Sequence, residues 1–236
     1  MKKILVLFSL FATTLVKSQT IHIEYQQLCN EREYKCDLVA TDTASSWIEK
    51  EMGLSQPSPK TTFVYKQRNH SKNYSNPNIF TKTFYLADSL CHFDWTLTND
   101  TLTILNQKCL SASTTFRGRN YVAYYSPTLP YNEGPWKFCG LPGVILRLSS
   151  TDNFLKIAAT KIATNTNDII DEKQYLNNKF IDWETYKTTF IDTSKKTYKR
   201  VLSQMKKDDD GTSYKFKILI TEIIYPEAQT GEGLTE

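Results

Sequence analysis

The chain of 236 residues carries 29 basic and 25 acidic side chains, a formal charge of +4, and is 40% hydrophobic and 13% aromatic. That is enough apolar material for a substantial core in one all-β domain, or in one domain with a small appendage. The near balance of charge gives no support to a nucleic-acid-binding surface.

The first residues read as a secretory signal peptide. Lys2 and Lys3 precede a mostly apolar run over 4–16, and Val16, Lys17 and Ser18 fit cleavage before Gln19. The run is too short for a convincing membrane span. Removing residues 1–18 takes away Lys2, Lys3 and Lys17 and no acid, which lowers the charge to +1. No second long apolar run follows. The sequence therefore predicts a periplasmic or secreted protein with no transmembrane anchor after cleavage.

From Ile21 onward the dominant period is two. Ile21, Ile23 and Tyr25 alternate with His22, Glu24 and Gln26, as in a half-buried strand. Tyr34, Cys36, Leu38 and Ala40 continue the pattern. Further strands are predicted over 61–65, 79–86, 91–97, 102–108, 120–125, 144–148 and 155–161, all rich in β-branched or aromatic residues. Turn signals at Pro57 and Pro59, Asn76 and Pro77, Asn99 and Asp100, and Asp152 and Asn153 separate them. One helical zone interrupts the series at about 182–207. Asp182 caps a segment over 183–190, and Thr193 caps a second one through Lys207, with Tyr198, Val201, Leu202 and Met205 on one apolar stripe. Its lysine-rich opposite face (Lys195, Lys196, Lys199, Lys206) reads as solvated. Phe216, Ile218 and Ile220 alternate again near the end, and 226–236 reads as a disordered tail. Residues 19–225 form a single β-rich domain on this reading.

Five cysteines, Cys29, Cys36, Cys91, Cys109 and Cys139, lie in the exported part. An oxidising compartment permits disulfides, and an odd number leaves one thiol over. Cys91 and Cys109 flank the hairpin signal at Asn99 and Asp100, and a three-residue turn there sets them opposite each other. The alternative is that they are buried small apolar residues. Cys29 and Cys36 can close a tight loop. No Cys-x-x-Cys occurs, so the zinc-ribbon and thioredoxin patterns are absent.

The stretch from 116 to 145 holds four of the eight glycines and four of the eight prolines. Gly140 and Gly143 flank Leu141 and Pro142, a combination that fixes a tight turn before the strand at Val144. Gly134 and Pro135 form an earlier turn that presents Trp136 and Phe138. Two readings are open. The stretch is a crossover covering the open end of the core, or it is a recognition surface made of Arg117, Arg119, Tyr124, Tyr125, Trp136 and Phe138. Arg117 and Arg119 sit two apart and share a strand face, where they can clamp a carboxylate or phosphate, or pair with acids such as Asp94 and Glu133.

This stretch resembles the GLPGLI family of exported Bacteroidetes proteins. The matching residues are Phe116, Arg117, Gly118 and Arg119, then Ala123, Tyr124 and Tyr125, Leu129 and Pro130, Gly134 through Phe138, and Gly140-Leu141-Pro142-Gly143-Val144-Ile145. Trp95 and Cys109 fall at the family's upstream tryptophan and cysteine. Tyr124 replaces the usual Trp, Val144 the usual Leu, and the glycine expected before Lys108 and Cys109 is absent. The match is specific over about 90–162. The resemblance implies an envelope context, alongside outer-membrane transport proteins, and an activity that is undetermined for the family.

No catalytic or cofactor fingerprint is present. His92 and Asp94 share a strand face at a spacing that offers two metal ligands, without a third. The fold expected is mainly β, a curved antiparallel sheet or half-barrel, similar to the LolA-like lipoprotein carriers, with a short helical insert near the C-terminus. The first functional expectation is a non-enzymatic binding module for a lipid, a peptide or an outer-membrane partner. It implies a dry apolar concavity bordered by Tyr124, Tyr125, Trp136 and Phe138. The alternatives are a hydrolase-type envelope enzyme, with titratable groups converging in a pocket around His92 or Arg119, and a disulfide-linked structural or assembly protein.

Overall fold

The structure is a computed structural model and describes residues 20–52, 61–80, 82–204, 217–218, 220–224 and 226. The expected signal peptide, the turn at Pro57 and Pro59, the end of the helical zone beyond 204 and the tail from 227 lie outside these residues.

The strands are β1 (Ile21–Cys29), β2 (Arg32–Ala40), β3 (Ala44–Glu51), β4 (Thr62–Gln67), β5 (Lys72–Ser75), β6 (Asn78–Ile79), β7 (Lys82–Thr83), β8 (Leu86–Ser89), β9 (Thr96–Ile104), β10 (Gln107–Phe116), β11 (Arg119–Ser126), β12 (Val144–Ser150) and β13 (Leu155–Thr164). Eleven of them form one open antiparallel sheet in the order β8-β5-β4-β3-β2-β1-β13-β12-β11-β10-β9. Two meanders build it, one from β1 to β5 with β8, the other from β9 to β13. They join where β1 pairs with β13, with Tyr25 opposite Ala159 and Gln27 opposite Ile157. β6 and β7 pair only with each other. The expected fold class, a mainly β protein built on one large antiparallel sheet that stays open, is the one observed.

The alternating pattern explains the layering. On β1, Ile21, Ile23 and Tyr25 are buried, as are Cys36, Leu38 and Ala40 on β2. The sheet curls so that side chains from distant strands meet over this face. The Tyr25 hydroxyl donates to the Ile145 carbonyl at 2.7 Å, and Lys66 on β4 reaches the carbonyls of Gly134 and Phe138 at 3.1 and 3.0 Å. On the opposite face, α1 (Glu172–Leu176) packs Tyr175 against Phe63 and Tyr65. Asp171 caps it by accepting from the Lys173 N–H at 3.1 Å.

Several local expectations are corrected. β9 continues through Asn99 and Asp100, which form a bulge where the pairing steps from Leu110–Thr101 to Ser111–Thr98. The turn to β10 sits at Leu105 and Asn106, whose φ values of 49° and 62° supply the two left-handed residues of a two-residue hairpin. Asn106 adopts left-handed backbone more readily than most residues, which accounts for a tight turn without glycine. Cys109 then faces Leu102, the five cysteines are free thiols, and the hairpin argument for pairing Cys91 with Cys109 falls. The stretch 79–86 is not one strand, because Phe80 (φ 52°) turns the chain between β6 and β7. Residues 91–95 are irregular, and residues 217–218 and 220–224 are not in a strand. The two expected helical segments are one continuous helix, α2 (Trp183–Gln204). It contains no Pro or Gly to break it, and Tyr186, Phe190, Ser194 and Tyr198 recur every four residues along its buried side. Asp182 caps it as expected, accepting from the Thr185 N–H at 2.8 Å.

Gly143 and Gly140 separate two effects of an added methyl. Gly143 has φ +146°, and a Cβ there would lie 2.1 Å from the Ser126 carbonyl oxygen. Gly140 has φ +93°, with its nearest neighbour at 3.9 Å. Gly143→Ala should therefore destabilise the fold by about 3 kcal/mol or more. Gly140→Ala should lose only about 1–2 kcal/mol, the cost of left-handed backbone. Urea unfolding of the two variants would reverse this order if the turn were loosely packed.

Candidate functional site

Between β11 and β12 the chain crosses the concave face as a block over 127–143. Glu133 anchors it and is 1% exposed. Lys66, fully buried, approaches its carboxylate at 2.6 Å, Arg68 donates to it at 2.8 Å and Ser45 at 2.9 Å. Glu133 also bridges to Cys139, which closes the block into a loop. Phe138 is fully buried at its centre, with the rings of Phe93, Phe116, Tyr121 and Trp136 at 4.8, 5.6, 4.7 and 5.8 Å. Trp95 packs at 6.1 Å and donates its Nε1 to the Cys139 carbonyl at 3.0 Å. The expected turn at Gly134 and Pro135 is present: the Phe138 N–H donates to the Pro135 carbonyl at 3.1 Å.

A second set of charges holds the described part of the C-terminal segment, here called the strap. Arg117 sits in the two-residue turn between β10 and β11, with φ 43° followed by Gly118 at 84°. Its guanidinium pairs with Asp88 and Glu222 and stacks 3.3 Å over the Trp183 ring. Lys137, 3% exposed, donates to both oxygens of Glu222 at 2.8 and 2.9 Å. Arg119 is buried over the Phe154 ring at 3.9 Å and pairs with Asp152. It also donates to the strap carbonyls of Thr221 and Ile220 at 3.0 and 2.9 Å. The Ile223 N–H donates to the Arg117 carbonyl at 3.0 Å.

Beneath the strap lies a cavity of about 300 Å³, lined among others by Gln27, Cys29, Tyr34, Glu49, Ser75, Trp136, Lys137, Tyr186 and Glu222. Glu49 comes from β3 on the same face as Trp47, and accepts from the Trp47 Nε1 at 2.9 Å. Burial pushes its carboxyl up from the ordinary carboxylate range, against the hydrogen bonds from Trp47 and Gln27 that hold it down. The Cys29 thiol, 3.6 Å from the Thr221 hydroxyl, is also pushed up by burial. It is therefore a poor thiolate nucleophile.

The expected recognition residues separate. Phe138 and Tyr125 are core, and Tyr124, opposite Ser111 and Arg147, points to the other face from Tyr125. Only Trp136 of the expected aromatic border lines the cavity, whose wall is mixed polar and apolar rather than dry. Arg117 and Arg119 do act together, yet on the chain's own strap, with Asp88, Asp152 and Glu222 as partners instead of Asp94 or Glu133. His92 and Asp94 approach within 3.6 Å but are almost fully exposed. Among the described residues no group of three His, Cys, Asp or Glu is placed to hold a metal ion, and no helix is long and apolar enough to cross a membrane. Sequence reasoning did not single out Glu49, Lys66 or Lys137. Lys137 was visible as part of the family-like block, whereas Glu49 and Lys66 carry no local signal.

No protein-family model matches the chain, and no curated protein matches it in sequence. Among solved structures it is similar to PNGF-II in two crystal forms. TM-scores are 0.56 and 0.55, at 16% and 15% identity, over 75% of this chain and 34% of that one. The chain thus spans about a third of the length of PNGF-II, and likeness at this identity concerns the fold alone. An uncharacterised conserved protein from Thermus thermophilus aligns with a TM-score of 0.41 at 10% identity, over 70% of this chain and 91% of that one.

Two measurements probe these charges. Glu133→Leu strands Lys66 and Arg68 without their acid and should cost about 3–5 kcal/mol in urea unfolding. Lys66→Met leaves Glu133 with Arg68 and Ser45 and should cost less; equal losses would show that Arg68 and Ser45 contribute nothing. For Glu49 the folded state holds its proton to higher pH than the unfolded chain does. The stability tied to that proton is complete at low pH and falls as pH rises from the ordinary carboxylate range through the raised value. Glu49→Gln cannot ionise, so its unfolding free energy relative to the parent should rise across that window. A flat difference would contradict the desolvation of this carboxyl.

Proposed function

We propose that this chain is an exported cell-envelope protein of the GLPGLI type, cleaved after residue 18, that binds an extended peptide on its concave face without catalysis. The observation that carries the reading is the manner in which the strap is held. Arg119 donates to two successive main-chain carbonyls, while Arg117 and Lys137 grip one carboxylate. Main-chain contacts supply affinity and side-chain contacts supply choice, which is how proteins take up extended segments. The cavity volume lies at the small end of ligand pockets and suits a peptide side chain better than the acyl chains of a lipid. The segment bound can be a free peptide or an exposed stretch of an outer-membrane partner.

One observation favours a hydrolase-type reading: Glu49, Glu222, Lys137 and Cys29 line the same cavity. Against it, Glu222 is neutralised by Lys137 and Arg117, and the thiol has no activating base beside it.

Native mass spectrometry of the protein purified from its own envelope, with and without reductant, tests the reading. A co-purifying peptide mass is expected. A lipid mass would replace the ligand class, and a bare monomer would return the concave face to a structural role. A reductant-sensitive dimer would move the function to an intermolecular disulfide, and a co-purified peptide shortened on incubation would favour the hydrolase.

A further inference from the structure

The concave face carries many charges, and nearly all are matched. Lys66 and Arg68 meet Glu133; Arg117 and Lys137 meet Asp88 and Glu222; Arg119 meets Asp152. Among the described residues Glu49 is the exception. Its hydrogen-bond partners, Trp47 and Gln27, are neutral. The titratable groups on the elements around it are Cys29 on β1, Arg32, Tyr34 and Cys36 on β2, Arg119 on β11, Tyr186 on α2, Glu222 on the strap and Lys137 on the block. Of its cations, Lys137 spends two donors on Glu222, and Arg119 is held by Asp152 and the strap carbonyls. A second polar group is also unanswered. Ser75, 4% exposed, lines the same cavity, and its hydroxyl has no hydrogen-bond partner among the described residues. Trp136 supplies an aromatic wall beside them.

A half-buried carboxyl facing an unfilled space is costly when ionised, and an incoming cation removes that cost. An anion would meet the like charges of Glu49 and Glu222, with only the Ser75 hydroxyl to donate to it. We propose that the cavity under the strap is a site for a primary ammonium group, with Glu49 as its counter-ion, Ser75 as a second polar contact and Trp136 packing along the ligand's methylene stem. This rests on reading the concave face as a binding site, and names the chemistry of what enters it. The ammonium comes either from a lysine side chain of a bound peptide or from a free alkylamine. Binding needs the Glu49 carboxylate, so the complex forms with release of a proton wherever the empty site is still protonated. Affinity therefore falls as pH drops through the raised value of Glu49.

Isothermal titration of the purified protein with four probes tests this: N-acetyl-lysine methylamide, n-butylamine, and their neutral counterparts N-acetyl-norleucine methylamide and n-butanol. The amines should bind, the neutral probes should not, and Glu49→Gln should weaken amine binding by at least about 10-fold. Glu49→Gln keeps an acceptor for Trp47, and Glu49→Asp, which keeps the charge, should restore part of the affinity. Ser75→Ala should weaken binding by a smaller factor while the thermal midpoint is unchanged. Binding of the capped lysine alone identifies a peptide side chain as the source; equal binding of butylamine identifies a free amine. Neutral probes that bind as well as the amines would overturn the ammonium site and leave the binding module standing. Unchanged amine affinity in Glu49→Gln would overturn Glu49's role and the site with it. Silence from all four probes would overturn the ammonium site, while peptide co-purification judges the module separately.

Discussion

The contact between Lys66 and Glu133 sets the position of everything on the concave face. The Lys66 ammonium donates to two block carbonyls, lies 2.6 Å from the Glu133 carboxylate and is fully buried. Two ions withdrawn from water gain little net stability even when fully satisfied. What such a pair supplies is register: a one-residue slip of β4 or of the block would leave a bare charge in an apolar interior. The block is thereby fixed against the far wall of the sheet, and its alternation does the rest. Phe138 points to the aromatic cluster, and its neighbour Lys137 points to the strap.

The strap is the second layer of this arrangement. Residues from β1, the β10–β11 turn, the block and β11 converge on it, so it reports on the geometry of four separate elements. Holding this segment through carbonyls and one carboxylate leaves its apolar side chains free for other work. Ile218 joins Leu86, Tyr186, Phe190 and Tyr198 in a satellite cluster that seats α2 on the sheet edge. Helix, strap and sheet edge therefore share one small core, distinct from the main one.

Much of the fold was legible because strands with one apolar face announce themselves, as β1, β2 and β13 do. β3 did not, since the side chains it sends to the concave face, Ser45 and Glu49 beside Trp47, are largely polar, and their reason for being inside lies elsewhere in the chain. The turn at Leu105 was hidden for a different reason: leucine in left-handed backbone is tolerated by context, not signalled by it. α1 is five residues long and is held by Tyr175 against two distant rings, a tertiary effect no local window contains. At the site, the closeness of Arg117 and Arg119 was expected from their spacing, although Arg117 lies in the β10–β11 turn and not on a shared strand face. Their partner could not be read that way, because Glu222 lies 105 residues from Arg117 and inside a segment whose alternation imitates a strand. Glu49 is the clearest loss: one glutamate among 25 acids becomes distinctive only when its hydrogen-bond partners are known to be neutral.

The seam between β1 and β13 has a kinetic consequence. Each meander consists of hairpins that can form from neighbouring chain. The seam joins residues far apart in sequence, Ile21 to Thr164 at one end and Cys29 to Leu155 at the other, and its closure must absorb the entropy of the whole intervening loop. Topologies dominated by such distant pairings fold slowly. β1, synthesised well before β13, thus waits for it before the sheet is complete. Until then both seam strands are open edges, the interval in which a chain of this design is most open to chaperones and most exposed to mispairing.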